Sequence, residues 1–316
     1  YYYSMIIVNG NPAISYYDGL PGDLKYIRAN DASGNSWGSA VIVDATGDVG
    51  ENTCMQIING NPAIVYHDYT NKNLKYARAN DASGAAWNTP ITLDATGEVG
   101  ETPYLQVVNG NPAVSYYDRT NGDLKYIRSS DISGTSWNTP VIVDASGNTG
   151  GYPAIQIVNN KPVIAYQDVG IGDVKFISAT DISGTSWGTP VVLDSAQYTG
   201  ISVSMIAGGG YMGIAYYSQD QLLPFFIPGR YGFISLPAHY FRSKQNGNWN
   251  DADSWESSPD NINWGKATLT PDYTANTITI RSGHTINVTA NVTVDQLVLE
   301  PGSVLNTKSG IQLIIQ

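Results

Sequence analysis

The 316-residue sequence has one cysteine, Cys54. A disulfide within the chain is therefore impossible, and so is a cysteine-based zinc site. Cys54 stands at the repeat position of Tyr104 and Ala154 and reads as a small buried residue. Histidine is almost as scarce. His67, His239 and His284 lie in unrelated contexts with no HExxH, which removes the usual histidine metal motifs. Only 14% of residues are charged, and 27 Asp+Glu outnumber 16 Lys+Arg for a net charge of −11. Nucleic acid and anionic membrane surfaces need clustered cations, so neither is expected as a partner. No apolar run reaches the ~18 residues of a membrane span. No Gly-x-Ser-x-Gly leads into a helix pattern, and Gly208-Gly209-Gly210 has the register of a hairpin tip, not of a phosphate loop. The chain opens at Tyr1, without Met or signal peptide, and reads as part of a longer polypeptide.

What is abundant is Gly, Asn, Thr, Ser and Tyr, the composition of an all-β chain rich in turns. It is organised as a repeat. NGNPAISYYD (9–18), NGNPAIVYHD (59–68), NGNPAVSYYD (109–118) and NNKPVIAYQD (159–168) recur every 50 residues, as do DLKYIRANDASGNSW (23–37) and its three copies. A fifth copy, MIAGGGYMGIAYYSQD (205–220), then loses the Trp signature. Each repeat contains four short β-rich runs. In the third these are Tyr104–Val108, Ala113–Tyr117, Leu124–Arg128 and Pro140–Val143, the first two joined by an Asn-Gly turn. Four strands per ~40–50-residue repeat predict a β-propeller, with blades at 1–50, 51–100, 101–150 and 151–200 and a degenerate fifth at 201–242. Either something from Tyr231–Arg242 completes a five-bladed ring, or further blades precede Tyr1.

The connection between third and fourth runs reads Asp31…Gly34-Asn-Ser-Trp37, then Asp81…Trp87, Asp131…Trp137 and Asp181…Trp187. It resembles the Asp-box of sialidase-type propellers, with one residue added between Asp and Gly. The Asp can accept backbone N–H bonds across the turn, and the Trp can fill the gap between blades, so these residues are structural. The four tryptophans are expected in equivalent buried sites. The resemblance also implies what a sialidase site would need: three converging arginines, a Tyr–Glu pair and an acid Asp. Arg28, Arg78 and Arg128 share one repeat position and so point to different places around a ring. Contact with an acidic neighbour is their expected role.

After about residue 242 the composition changes. NGNWNDADSWESSPDNINW (246–264) leads into TITIRSGHTINVT and VTVDQLVLEPGSVLNT, in which Gly283–Asn287 and Gly302–Asn306 align at a spacing of 19. This predicts a parallel β-helix fragment over 243–316, with Asn287 and Asn306 as an internal ladder. It resembles the β-solenoid modules of large bacterial surface proteins.

Near-identical blades argue against catalysis, which needs one asymmetric pocket. They suit repeated binding, so the chain is expected not to be an enzyme. The expected binding face joins the loops between second and third strands to those leading into the next repeat. There Tyr17, Asp18, Glu51, His67, Asp68, Glu101, Tyr117 and Asp118 are the candidate ligand-binding residues, aromatic rings for sugar faces and carboxylates for hydroxyls. A second reading of Asp44, Asp48 and Glu51 is a Ca2+ site built of hard oxygens. For Tyr16, Tyr66, Tyr116 and Tyr166 the alternative is plain packing within the blade. The sequence thus predicts a secreted or cell-surface module binding a glycan or cell-surface ligand, with a sialidase-like glycoside hydrolase or a structural segment of a giant adhesin as rivals.

Overall fold

The computed structural model describes residues 3–158, 160–195, 199–208, 211–218, 230–236, 240–258, 261–267, 270, 271, 275, 277–294 and 296–315. Of the residues singled out from the sequence, His239 and the hairpin tip at Gly209-Gly210 lie outside the described residues. The chain divides into two compact units, Tyr1–Met205 with Ala215–Gly232, and Ile206–Ile214 with Phe233–Gln316.

The first sheet comprises β1 (Tyr3–Val8), β2 (Asn11–Asp18), β3 (Asp23–Arg28) and β4 (Val41–Asp44). The second comprises β5 (Val49–Ile58), β6 (Asn61–Asp68), β7 (Asn73–Arg78) and β8 (Ile91–Asp94). The third holds β9 (Val99–Val108), β10 (Asn111–Asp118), β11 (Asp123–Arg128) and β12 (Val141–Asp144). The fourth holds β13 (Thr149–Val158), β14 (Lys161–Asp168), β15 (Asp173–Ser178) and β16 (Val191–Asp194). Each is an antiparallel meander in chain order. Strands β17 (Ile201–Gly208) and β18 (Tyr211–Ser218) begin the fifth repeat. The Asn-Gly turns form as the sequence predicts: Asn9 and Gly10 have φ of 45° and 81°, the left-handed pair a two-residue hairpin requires.

First strands of successive sheets lie side by side. The Met55 N–H donates to Ser4 Oγ (3.1 Å), the Leu105 N–H to Cys54 Sγ (3.4 Å) and the Tyr152 N–H to Thr102 Oγ1 (3.1 Å). Fourth strands are short and expose Ile42, Ile142, Val191 and Val192. Four-stranded meanders arranged in this way are the blades of a β-propeller. Burial at Cys54 pushes its thiol up to about 11, so it packs as a small apolar residue.

Apolar residues of each sheet pack onto the next. Leu24 and Tyr26 meet Met55, Ile64 and Tyr66; Leu74 and Tyr76 meet Leu105, Val114 and Tyr116; Leu124 and Tyr126 meet Ile155, Ile164 and Tyr166. Burying each such aliphatic side chain contributes about 1.5–3 kcal/mol. Across the same junctions runs a polar network. The Tyr66 hydroxyl donates to Asp44 Oδ2 (2.7 Å), and Lys75 Nζ reaches the same oxygen while lying 3.9 Å from Asp68. Tyr116 and Lys125 repeat this on Asp94 and Asp118, and Tyr166 and Lys175 on Asp144 and Asp168. Tyr66, Tyr116 and Tyr166 are therefore packed blade residues with a fixed hydrogen bond.

The Asp31 carboxylate accepts from the N–H groups of Ser33 (3.0 Å), Asn35 (3.1 Å) and Ser36 (3.0 Å), and the later copies do the same. These bonds outweigh partial burial at Asp81 and bring its pKa down to about 2. Trp87, Trp137 and Trp187 set their rings edge-on against Tyr26, Tyr76 and Tyr126 of the preceding sheet, with centroids 5.2, 5.2 and 5.3 Å apart. They are half-buried and Trp37 is exposed, so the expectation of four equivalent buried sites is corrected for that first copy. The repeated arginines are also corrected. Arg28 Nε and Nη2 donate to the carbonyls of Val8 and Asn9 (2.8 Å each), clamping the hairpin of their own blade instead of meeting an acid.

In the second unit, parallel pairs link Tyr240–Ser243 to Thr277–Ile280 and on to Leu297–Leu299, while Thr285–Val288 pairs with Val304–Thr307. Ile278↔Leu297 and Asn287↔Asn306 keep the 19-residue step. Ile278, Ile280, Ile286 and Val288 point into a core with Trp249 and Trp255. Asn306 Nδ2 does donate to Asn287 Oδ1 (3.1 Å), but Asn306 is exposed and the pair alternates with the buried Ile286 and Val288. The ladder is external, not internal.

Candidate functional site

The first strands are longer than the sequence suggests. Gly50 and Gly100 have φ of 103° and 86°, and the next-but-one residue is also left-handed: Asn52 at 52°, Thr102 at 46°, Tyr152 at 48° and Ser202 at 54°. In β5, β9 and β13 this step forms a bulge that lets the strand continue, so Glu51 and Glu101 belong to β5 and β9 and not to the loops assigned to them. A left-handed non-glycine residue in the same step of four strands is a strained feature.

The bulge sets the cross-strand pairs. Glu51 faces His67, Glu101 faces Tyr117 and Gly151 faces Gln167. Next to this row come the loops joining second to third strands and those entering the next repeat. Asp48 O accepts from the Tyr69 N–H (2.9 Å), Glu98 O from the Arg119 N–H (2.9 Å) and Asn148 O from the Gly170 N–H (3.0 Å). The two loop sets therefore share a face, as expected.

Five of the eight sequence candidates form this row: Tyr17, Glu51, His67, Glu101 and Tyr117. The Tyr17 hydroxyl donates to Asp48 Oδ1 (2.5 Å), and that bond to a carboxylate pushes its pKa up to about 12. Tyr117 donates to Asn148 Oδ1. Asp18, Asp68 and Asp118 are placed elsewhere. Asp68 accepts from the N–H and Nδ2 of Asn71 (2.9 Å each), and Asp118 from those of Asn121 (3.1 and 2.9 Å). Both are buried beside the junction lysines. Asp18 is held by Lys25. The grouping of Asp44, Asp48 and Glu51 around Ca2+ is not formed, because Asp44 is bound to Lys75, Tyr66 and the Thr46 N–H while Asp48 holds Tyr17. Among the described residues no three His, Cys, Asp or Glu side chains are arranged to hold a metal.

The two glutamates differ in surroundings. Burial pushes the Glu51 carboxyl above its ordinary range, and the charges of Asp48 and Glu101 push it the same way, with Lys72 in opposition. Glu101 accepts from Arg119 Nη1 at 2.9 Å. His67 is fully buried, its Nδ1 is 3.7 Å from Glu51 Oε2, and neither ring nitrogen has a hydrogen-bond partner in the structure. Desolvation lowers its pKa, so the ring is neutral near pH 7. Beside Glu101 opens a cavity of about 730 Å3, lined by Glu101, Tyr117, Arg119, Asn148, Tyr152 and Gln167 among others. Arg119, Asn148 and Tyr152 had not been singled out by sequence reading as site residues. The signal was their departure from the repeat: the Arg119 position is Gly19, Tyr69 and Val169 in the other blades.

No family model matches the chain, and no curated protein matches it in sequence. Solved structures do resemble it. A Hadza microbial sialidase is 14% identical with a TM-score of 0.49, over 85% of this chain and 58% of that one. The catalytic domain of a Coprinopsis cinerea GH62 α-L-arabinofuranosidase is 17% identical with a TM-score of 0.46, over 74% of this chain and 89% of that one. A GH32 β-fructofuranosidase from Bombyx mori is 13% identical with a TM-score of 0.44, over 71% and 55%. The expectation of a non-enzyme is corrected here: these similar structures are glycoside hydrolases. The premise of that expectation also fails, because the blades differ where the row of facing pairs lies. Positions 51, 101, 151 and 201 read Glu, Glu, Gly and Ile, and positions 17, 67, 117 and 167 read Tyr, His, Tyr and Gln. Among the described residues no helix is long and apolar enough to cross a membrane.

Proposed function

We propose that the chain is a glycoside hydrolase whose acid is Glu51 and whose second carboxyl is Glu101, which lines the cavity. The observation that carries this reading is the unequal environment of the two carboxyls. Glycosidic cleavage needs one carboxylic acid to protonate the departing oxygen and one carboxylate to oppose the charge growing on the sugar ring. A protein assigns these roles by pushing two pKa values apart. Burial and two neighbouring carboxylates favour a proton on Glu51, while Glu101 accepts a hydrogen bond from Arg119 Nη1. Tyr117 and Tyr152 offer rings, and Asn148 and Gln167 offer amides, for holding a sugar. Neutral, buried His67 lies 3.7 Å from the Glu51 carboxyl. The reading places the protein outside the cell, where polymeric glycans are met, with residues 243–316 as a further module of β-solenoid type.

The test is a hydrolysis screen over aryl glycosides and plant and host polysaccharides, followed by Glu51→Gln and Glu101→Gln. Each substitution should lower kcat by about 10^2–10^4-fold, the range of a lost acid or base group. Hydrolysis that persists unchanged in both variants would remove these residues from the mechanism.

A further inference from the structure

Three junctions between sheets are built from the same parts, and every part is directional. The following blade brings a Tyr hydroxyl, a Lys and a Trp; the preceding blade brings an Asp at the end of its fourth strand and a Tyr on its third. Tyr76 and Tyr126 complete the set by donating to the carbonyls of Ser133 and Ser183 of the next blade's box turn (3.1 and 2.9 Å). The first sheet carries the full following-blade set: Tyr16, Lys25, Trp37 and the Asp31 turn. Among the described residues none of these meets a preceding-blade partner. Lys25 has Asp18 of its own blade, and Asp18 is 33% exposed where Asp118 is 0%. Met5 is 64% exposed, whereas Met55 at the same repeat position is 2% exposed. Tyr3, Ile7 and Trp37 are uncovered as well.

We propose that this flank of the first sheet, formed by Met5, Ile7, Tyr16, Lys25 and Trp37, is a docking surface for a further blade of the same 50-residue repeat. The chemistry specifies the occupant. It presents a carboxylate to Tyr16 and Lys25, as Asp44 does to Tyr66 and Lys75, and a tyrosine edge to Trp37, as Tyr26 does to Trp87. The fifth repeat does not fit. Its sheet consists of β17, β18 and a third strand, Arg230–Leu236, and among the described residues it has no fourth strand to end in the Asp that Tyr16 and Lys25 would need. A blade of the type seen at 51–100 or 101–150 supplies both groups.

The experiment extends the whole chain at Tyr1 with a copy of its own residues 51–100, which keeps the 50-residue register. Oxidative footprinting then compares Met5 with Met55, and hydrogen exchange reports on β1. In the unextended chain Met5 should oxidise much faster than Met55. In the extended chain the Met5 rate should fall to that of Met55, and β1 amides should exchange as slowly as those of β5. The same extension carrying Asp94→Ala and Tyr76→Ala within the added copy should lose that protection. Met5 oxidation unchanged by the intact extension would overturn the proposal. So would protection already present in the unextended chain as a dimer by light scattering that Met5→Lys disperses, since the occupant would then be a second copy.

Discussion

Replacing Lys75 with Met tests the polar network between blades. Lys75 Nζ sits against Asp44 and near Asp68, whose side chains are each 3% exposed. Methionine preserves most of the volume and removes the charge, leaving two buried carboxylates short of a cation. Breaking a buried pair in this way costs about 3–5 kcal/mol. In an array of this size that lowers Tm by roughly 6–20 °C, at about 2–4 °C per kcal/mol. Burial alone would raise the Asp44 carboxyl, but Lys75, Tyr66 and the Thr46 N–H outweigh it and hold the pKa below the usual range. A depressed carboxyl contributes stability that is present above its unfolded pKa and is lost as pH falls through its folded one. The wild type should therefore weaken below about pH 4, and Lys75→Met should flatten that acid dependence. Calorimetry across pH reads both effects. Adding Asp44→Asn should restore part of the loss, because one orphaned charge is gone. The internal control is Lys25→Met, at the same repeat position but with Asp18 at a solvent-exposed edge, which should leave Tm nearly unmoved. If Lys25→Met and Lys75→Met lower Tm equally, the cost lies in the lysine stem and not in the buried network.

Three further outcomes are expected. Asp48→Asn removes a charge that raises the Glu51 carboxyl, so the basic limb of the kcat–pH profile should move to lower pH with activity retained; an unmoved limb removes Glu51 as the acid. Trp137→Ala should cost about 3 kcal/mol, the low end for a large aromatic, because its ring leans on Tyr76; denaturant titration should show Trp37→Ala costing far less. Gly110→Ala has free space at φ +80° and should cost about 1–2 kcal/mol, while Gly100→Ala sets a Cβ 2.6 Å from the Leu74 backbone and should cost distinctly more.

The propeller was legible because its evidence is local and repeated: an Asn-Gly turn, alternating strands and an Asp…Trp turn every 50 residues. The inner strands were not, since Gly50 and Asn52 have the chemistry of a loop and only the ladder shows that they bulge within a strand. The junction lysines escaped notice because a single Lys in a strand reads as a solvated side chain. Asp68 and Asp118 were assigned to ligand because a Tyr-Asp or His-Asp pair before a turn looks unemployed, while the amide that occupies it lies three residues on. The candidate site was missed as a centre because similarity was weighed over whole blades. The few positions that differ are scattered in sequence and meet only when β5, β9 and β13 lie side by side.

The left-handed bulges of β5, β9 and β13 have a consequence for how such a chain changes over generations. Backbone geometry at Asn52, Thr102 and Tyr152 makes these bulges, and the strand continues past them whether Glu or Gly stands just before. Glu51, Glu101, Gly151 and Ile201 already occupy that position in one molecule. Duplicated blades can thus exchange acid, gap and apolar group at the rim without unsettling the sheets, and a uniform repeat acquires a one-sided chemistry by a handful of single substitutions.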